Sequence, residues 1–227
     1  AAEALAGTAA SLVPLPTGTQ NNFAHRLGIA DLNDGVRRLR SDRSVLVQIG
    51  VANDRLFLNT ATFGMYGEVV RRRDMLARWL TRSPAAAVAF LYATLRLRQI
   101  AVEVDLPRRR LFRKTPLFGV RPARDDSAEP HELEIAILNV HDRIDLASFI
   151  ARNAARMLRG EVPMADPRVE VHRTLFALVL APDAVDVTLD GEAFRWTPPF
   201  FIALEKSGLL VAADPDGCEE QKFKVES

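Results

Sequence analysis

Residues 16–24 read PTGTQNNFA, and in this stretch a glycine turn separates a short apolar run from the start of a helix. The run at residues 12–15 is typical of the end of a buried strand, and Pro16 and Gly18 break it. Gly18 lets the backbone approach a ligand closely, and the free N–H groups of a helix start favour anions such as phosphate. The stretch therefore indicates one half of a nucleotide site.

The polar side chains of this turn allow two interpretations. Thr19, Asn21 and Asn22 can each donate and accept hydrogen bonds, as a bound nucleotide requires. The same residue types also cap helices after a turn, with no ligand at all. Short glycine motifs match by chance, so the local pattern by itself leaves both interpretations open.

Two further stretches carry candidate residues: FLNTATFGMY at residues 57–66 and VTLDGE at residues 187–192. Asp190 and Gly191 lie between two strand-like runs, a pattern typical of a hairpin turn, in which Glu192 is an ordinary exposed charge. Phosphoryl transfer, however, needs a carboxylate that takes the proton of the acceptor hydroxyl group or positions a metal ion. Glu192 and Asp190 are therefore candidate catalytic residues.

The three stretches resemble, in the same order, signature blocks of the diacylglycerol kinase and sphingosine kinase superfamily, in its bacterial branch of lipid kinases. Those blocks are Pro-Leu-Gly-Thr-X-Asn-Asp-Phe-Ala, Phe-X-Asn-Asn-Ala-Ser-X-Gly-X-Tyr and Asp-Gly-Glu. The resemblance implies ATP-dependent phosphorylation of a lipid hydroxyl group such as that of diacylglycerol, with ATP and Mg²⁺ as cofactors. Whether the substrate is diacylglycerol, a sphingoid base or another lipid alcohol stays open.

The resemblance also implies roles for individual residues. It makes Glu192 the base across the cleft, and it makes Asp190 a support for Glu192 or a metal ligand. The acyl chains of the lipid would lie in the apolar interior of the second lobe. The residues that the resemblance places at the nucleotide are Gly18, Thr19, Asn21 and Asn22.

The metal ligands are the part of the family pattern from which this sequence departs. The family usually has an Asp-Gly turn before the strand that we predict at residues 132–140, where this sequence has Glu129, Pro130, His131 and Glu132. Asp125 and Asp126 lie nearby and are substitute candidates, unless they belong to a solvated loop. The metal ligands therefore stay unassigned.

The sequence also lacks the Gly-Gly-Asp-Gly-Thr loop that precedes these blocks in the family and supplies much of the ATP site. Residues 1–10 look like the helix that follows this loop. We therefore expect a fragment, or a gene product without most of its nucleotide lobe. Such a chain would be inactive by itself, because fixed phosphate contacts provide a large electrostatic contribution to catalysis. The alternative is a noncatalytic lipid-binding or interaction module derived from the kinase fold.

The overall pattern predicts an α+β fold, with a mainly antiparallel β-sandwich lobe and a few helices, preceded by a remnant of an α/β nucleotide-binding lobe. We expect the remnant at residues 1–43, the sandwich lobe at 44–213 and a polar tail at 214–227. Helical spacing predicts helices at 66–80 and 84–98. Further helices are expected at 1–10, about 21–27 and 145–158, with a helix or turn at 31–40. Turn-bounded segments predict strands at 12–15, 45–51, 55–62, 100–105, 110–120, 132–140, 169–180, 184–189, 193–196, 200–204 and 209–212.

The charges are distributed unevenly along the chain. Residues 66–114 contain twelve Lys or Arg against four Asp or Glu, while residues 115–227 contain twelve against twenty. Basic clusters attract anionic lipid headgroups, so the stretch 71–114 predicts peripheral membrane contact, with solvated helix and hairpin faces as the alternative. The lack of interleaved aromatic residues and of a binding motif argues against nucleic acid.

Composition agrees with a globular domain. Of the 227 residues, 48% are apolar and 26% charged, which suffices for a sizeable core. The single Cys218 excludes an intramolecular disulfide, and the four histidines lack metal-ligand spacing, so we expect no zinc site. No signal peptide is visible, and the longest apolar stretch, residues 84–95, is too short to span a bilayer. We expect a cytoplasmic protein, with peripheral contact at the inner membrane face and a homodimer both left open.

Overall fold

The structure is a computed structural model that describes residues 2–18, 21–79, 82–106, 109–123, 132–158, 165–205 and 207–214. The helices are α1 Ala2–Leu5, α2 Asn22–Arg26, α3 Leu32–Arg38, α4 Met65–Leu76, α5 Arg82–Leu95 and α6 Arg143–Leu158. The strands are β1 Ser44–Val47, β2 Gly50–Ala52, β3 Arg55–Phe57, β4 Ala61–Gly64, β5 Ile100–Leu106, β6 Arg109–Thr115, β7 Leu117–Pro122, β8 Leu133–Leu138, β9 Val169–Thr174, β10 Phe176–Leu180, β11 Val185–Leu189, β12 Glu192–Trp196, β13 Phe200–Leu204 and β14 Leu209–Ala212.

Two six-stranded antiparallel sheets form the body of the protein. Sheet I has the strand order β3-β2-β13-β10-β5-β6, and sheet II has the order β12-β11-β4-β7-β8-β9. Between them, the Phe63 ring of sheet II stacks on Phe118 at 4.5 Å and meets Phe200 of sheet I at 5.5 Å, measured between ring centroids. The predicted α+β fold with an antiparallel sandwich is therefore confirmed.

Two of the predicted strands each consist of two shorter strands, and the two halves belong to different sheets. In the segment predicted at 110–120, β6 of sheet I ends at Thr115 and β7 of sheet II begins at Leu117. In the segment 169–180, β9 of sheet II ends at Thr174, and β10 of sheet I follows. At each corner the threonine hydroxyl donates to the backbone carbonyl two residues further on, at 2.7 Å. A hydroxyl that satisfies the backbone at a bend does not interrupt the alternating pattern, so the sequence hides the break.

Helices cover the outer face of sheet II. Strand β8 is buried at every position, and Leu138 at its end packs together with Val140 on Leu146 and Phe149 of α6. Helix α4 contacts β11 of the same sheet, and α5 packs along α4. A strand covered on both faces shows a continuous apolar run in place of alternation. Among the described helices, none has the length and apolar character needed to cross a membrane.

The beginning of the chain differs from the prediction. Residues 12–15 form no strand, only an isolated bridge between Leu12 and Val211, and the helix predicted at 1–10 is limited to α1. The predicted hairpin of 45–51 with 55–62 is also wrong in part, since β1 pairs with β14 and only β2 pairs with β3. Short apolar runs favour a strand locally, but pairing with a distant partner decides whether one forms.

A second apolar cluster joins the start of the chain to its end. Phe23, Leu27 and Ile29 pack with Leu209 and Val211 of β14. The helix or turn predicted at 31–40 is the helix α3, with the Asp31 carboxylate accepting from the Asp34 N–H at 2.9 Å as its cap. Residues from both predicted lobes thus share one cluster, which holds the glycine turn against the sandwich.

Candidate functional site

The turn at Gly18 is closed by the side chain of Asn21. The Gly18 N–H donates to the Asn21 Oδ1 at 2.8 Å, and the Asn21 Nδ2 donates to the Pro16 carbonyl at 3.2 Å. Asn21 has a left-handed backbone with φ of 48°, which Asn tolerates better than most residues. Its side chain therefore shapes the turn and makes no capping bond to α2, which Asn22 begins. Thr19 lies outside the described residues.

Arg26 connects the first sequence block to the second. Its guanidinium donates to the backbone carbonyl of Leu58 and, at 2.9 Å, to that of Gln48, and it lies 5.8 Å from the centroid of the Phe23 ring. Sequence reasoning gave Arg26 no role. The available signal was a basic residue two positions after the block, of the type whose planar fork of N–H donors can bond two carbonyls at once.

Asp190 connects the third block to the second. It occupies the β11–β12 turn, and its carboxylate accepts from the N–H groups of Leu58, Asn59 and Thr60 at 2.6, 2.8 and 3.0 Å. Its own N–H donates to the Thr60 carbonyl at 2.9 Å. As a residue Asp190 is exposed, but the chain surrounds the carboxyl group, and this desolvation raises the pKa of Asp190 while the three N–H donors oppose the rise.

These contacts bring the three blocks together at one place. Arg26 binds the carbonyl of Leu58, and the N–H of Leu58 donates to Asp190. The whole loop between β3 and β4 is held between an arginine on one side and a carboxylate on the other. Both carboxylate oxygens of Asp190 are engaged by the backbone, an arrangement that favours a positioning role for this residue.

Glu192 lies beside this turn, and its side chain is not bound by the backbone as that of Asp190 is. It is the first residue of β12, paired in register with Leu189, and it is exposed. Within the described part of the chain its carboxylate makes no hydrogen bond and no ion pair. The hairpin thus holds the backbone of Glu192 in place while its side chain stays available to a group from outside.

Asn59 offers an acceptor at the same place. Its N–H is bound to Asp190, but its side-chain Oδ1 is buried and has no hydrogen-bond partner among the described residues. A buried acceptor without a partner is uncommon in a folded protein and marks a position where a polar ligand or water can donate. The family resemblance pointed to the whole block at residues 57–66, but it did not distinguish Asn59 from the other residues of the block.

The predicted metal ligands cannot be placed. Asp125 and Asp126 lie outside the described residues, and the described ranges contain no group of three His, Cys, Asp or Glu that could hold a metal ion. Within the described part of the blocks, the N–H groups of Gly18, Leu58, Asn59 and Thr60 are already engaged by Asn21 and Asp190. The groups left to a ligand there are the Asn59 Oδ1 and the carboxylate of Glu192.

Comparison with known proteins supports the same architecture. Two solved structures, each of a putative diacylglycerol kinase from Bacillus anthracis strain Sterne, match 94% of this chain and 73% of their own, with TM-scores of 0.68 and 0.64 and identities of 16% and 15%. A third, of a diacylglycerol kinase from the same strain, matches 87% of this chain and 65% of its own, with a TM-score of 0.55 and 13% identity. This chain shares their fold. No family model and no curated protein sequence matches it.

Proposed function

We propose that this chain is part of an ATP-dependent lipid kinase of the diacylglycerol kinase type. The supporting observation is that three separate sequence blocks meet through Arg26, Leu58 and Asp190, with the unengaged carboxylate of Glu192 beside them. The shared fold with the kinases above supports the same assignment. This chain spans 73% of the length of each of those two kinases.

The proposed reaction assigns one chemical step to this chain. The hydroxyl oxygen of the lipid attacks the γ-phosphorus of ATP, the bond to the bridging oxygen breaks, and ADP leaves with that electron pair. Glu192 accepts the proton that the hydroxyl group loses, a general-base contribution of about 10² to 10⁴ in rate. Asp190 positions Glu192 by holding the hairpin turn, and the family resemblance assigns Gly18, Thr19, Asn21 and Asn22 to the nucleotide.

The test is the rate of phosphate transfer from radiolabelled ATP to a panel of lipid alcohols, measured with the full-length protein. We expect Glu192→Gln to lower kcat about a hundredfold or more while the melting temperature stays unchanged, because the substitution removes the base and no contact. Glu132→Gln, which changes another carboxylate without a side-chain partner in the described chain, is the control and should keep full activity.

Three outcomes of this assay decide between the proposals. Transfer that depends on Glu192 supports the kinase. Equal loss in Glu132→Gln would contradict the assigned base. Lipid binding without transfer to any lipid would exclude the kinase and support the noncatalytic lipid-binding module.

A further inference from the structure

The hairpin of α4 and α5 exposes apolar side chains that the fold does not cover. Pro84, Val88, Leu91 and Leu95 are all exposed, and their spacing of four, three and four residues places them on one face of α5. The opposite face is turned inward, since Ala85 and Ala89 are fully buried. Helix α5 therefore packs inward through Ala85, Ala89 and the partly buried Phe90, and it presents Val88, Leu91 and Leu95 to the outside.

Aromatic and sulfur side chains extend this surface toward the turn between the helices. Trp79, just beyond the end of α4, is 87% exposed, and Met75 in the last turn of α4 is 55% exposed. A tryptophan that exposes nearly its whole side chain is unusual in a folded protein, and tryptophan is enriched at the headgroup level of membranes. We call the exposed residues Met75, Trp79, Val88, Leu91 and Leu95 the hairpin patch.

From Met75 to Val102 every charged residue is basic, and Asp74 beside Met75 is paired with Arg73. Between Asp74 and Glu103 the sequence contains no acidic residue, but it contains Arg78, Arg82, Arg96 and Arg98. In the described chain, Arg78, Arg96 and Arg98 have no carboxylate partner. The guanidinium of Arg96 lies 4.9 Å from the centroid of the Tyr92 ring, next to Leu91 in the sequence. Apolar side chains with unpaired arginines at their border match an anionic lipid surface.

Several other arginines of the basic stretch 71–114 are engaged within the protein. Arg71 forms a two-bond ion pair with Asp186 of β11, at 2.7 and 2.9 Å. Arg72 binds Glu68, Arg73 binds Asp74, and Arg113 binds Glu170. The pairs of Arg71 and Arg113 join different elements, whereas Arg78, Arg96 and Arg98 near the hairpin patch have no such carboxylate partner in the described chain.

We propose that the hairpin patch is a docking surface for anionic membranes, with Trp79 and the apolar face of α5 in the interface and Arg78, Arg96 and Arg98 on the headgroups. Docking in this way needs neither ATP nor phosphoryl transfer. A vesicle-binding experiment therefore tests it separately from the proposed kinase activity.

The test is sedimentation of the intact chain with vesicles of phosphatidylcholine alone and of phosphatidylcholine with phosphatidylglycerol. We expect binding to the anionic vesicles that falls with added salt and is at least tenfold weaker on the neutral ones. Leu91→Asp and Trp79→Ala should each weaken binding about tenfold. The double variant Arg78→Glu, Arg98→Glu should remove the preference for anionic lipid.

Matched controls keep the result interpretable. Leu39 is as exposed as Leu91, 62% against 61%, and the exposed Arg40 follows it, so Leu39→Asp and Arg40→Glu should bind like the unchanged protein. Replacing the other tryptophan by Trp196→Phe makes Trp79 the single fluorescent reporter, whose emission should shift to shorter wavelength on anionic vesicles.

Two results would overturn the proposal. One is equal weakening of vesicle binding by the Leu39 and Leu91 substitutions, in variants whose circular dichroism is unchanged. The other is absence of vesicle binding together with a dimer in analytical ultracentrifugation that Leu91→Asp dissociates, which would make the hairpin patch an interface between copies of this chain.

Discussion

At the scale of single residues, two carboxylates only two positions apart on one hairpin have different environments. The Asp190 carboxylate accepts three backbone N–H groups, whereas the Glu192 carboxylate has no partner in the described chain. The difference arises because Asp190 occupies a left-handed turn, φ 50°, that faces the loop before β4. Both residues were candidates from the sequence, and the family resemblance made Glu192 the base and Asp190 its support or a metal ligand, but the sequence did not show which groups Asp190 binds.

Replacement of Asp190 should destabilise the protein more than replacement of a similar turn residue. Asp190→Ala leaves the N–H groups of Leu58, Asn59 and Thr60 without their acceptor, and we expect it to lower the free energy of unfolding by about 2–3 kcal/mol. Asp54→Ala, at the tip of the β2–β3 hairpin, removes a carboxylate without such bonds and should change it by less than about 0.5 kcal/mol. Urea unfolding measures the free energy of unfolding of both variants, and an equal loss in the two would contradict the role of Asp190.

At the scale of elements, the junction between β4 and α4 depends on a glycine. Gly64 has φ of 104°, and a Cβ at this position would lie 2.3 Å from the carbonyl oxygen of Pro116. That carbonyl accepts from the Met65 N–H at 2.8 Å, so it cannot move away without loss of the bond that begins α4. The hairpin of α4 and α5 therefore leaves sheet II at a defined angle.

Substitution at this junction should cost much more than substitution at an open turn. We expect Gly64→Ala to lower the free energy of unfolding by about 3 kcal/mol or more, because the backbone conformation and the carbonyl contact are both unfavourable. Gly191→Ala shares the positive φ, 94°, but has open space around the added Cβ and should cost about 1 kcal/mol. A melting temperature equal in the two variants would show that the contact with Pro116 is unimportant.

At the scale of the whole molecule, side chains join the two sheets at their edges. Strands β6 and β9 are edge strands, and the Arg113 guanidinium on one donates twice to the Glu170 carboxylate on the other, each at 2.8 Å. At the opposite edges, the Arg55 guanidinium of β3 lies 5.0 Å from the centroid of the Phe194 ring of β12. Such edge contacts close the sandwich where strand pairing stops.

The ion pair at the β6–β9 edge should make stability fall in acid. The hydrogen bonds from Arg113 lower the pKa of Glu170 from 4.5 to about 2. A lowered pKa stabilises the fold above the unfolded value, so this contribution is complete above about pH 5 and is lost as the pH falls from 4.5 toward 2. We expect Glu170→Gln to cost about 1–2 kcal/mol at pH 7, after solvent screening of a partly exposed pair.

Thermal unfolding at several pH values measures this effect. The difference between the unchanged protein and Glu170→Gln should shrink steadily below pH 4.5, because protonation removes the same ion pair. Glu132→Gln is the control, and its difference should stay small and constant. A difference that does not depend on pH would contradict the assignment to this ion pair.

Local sequence information was enough for most helices and for the strands bounded by turns. The sequence predicted α4, α5 and α6 within a few residues, and the Asp190-Gly191 turn predicted the β11–β12 hairpin. The corners at Thr115 and Thr174 were missed, because their hydroxyls replace backbone pairing without a change in the pattern. The role of Arg26 was missed because its partners are distant in sequence, and that of Asn59 because a sequence pattern does not show that a side-chain acceptor is buried without a partner in the described chain.

The amino-acid sequence by itself determined the α+β class, the glycine turn, the hairpin with Asp190 and Glu192, and the excess of arginine in one stretch, since each depends on neighbouring residues. Only the tertiary structure decided which blocks meet, which carboxylate is engaged, and which arginines are paired. These depend on contacts between residues far apart in the chain, such as Leu58 with Asp190 and Arg71 with Asp186. Local conformational preferences depend on neighbouring residues, so they carry no information on such long-range contacts.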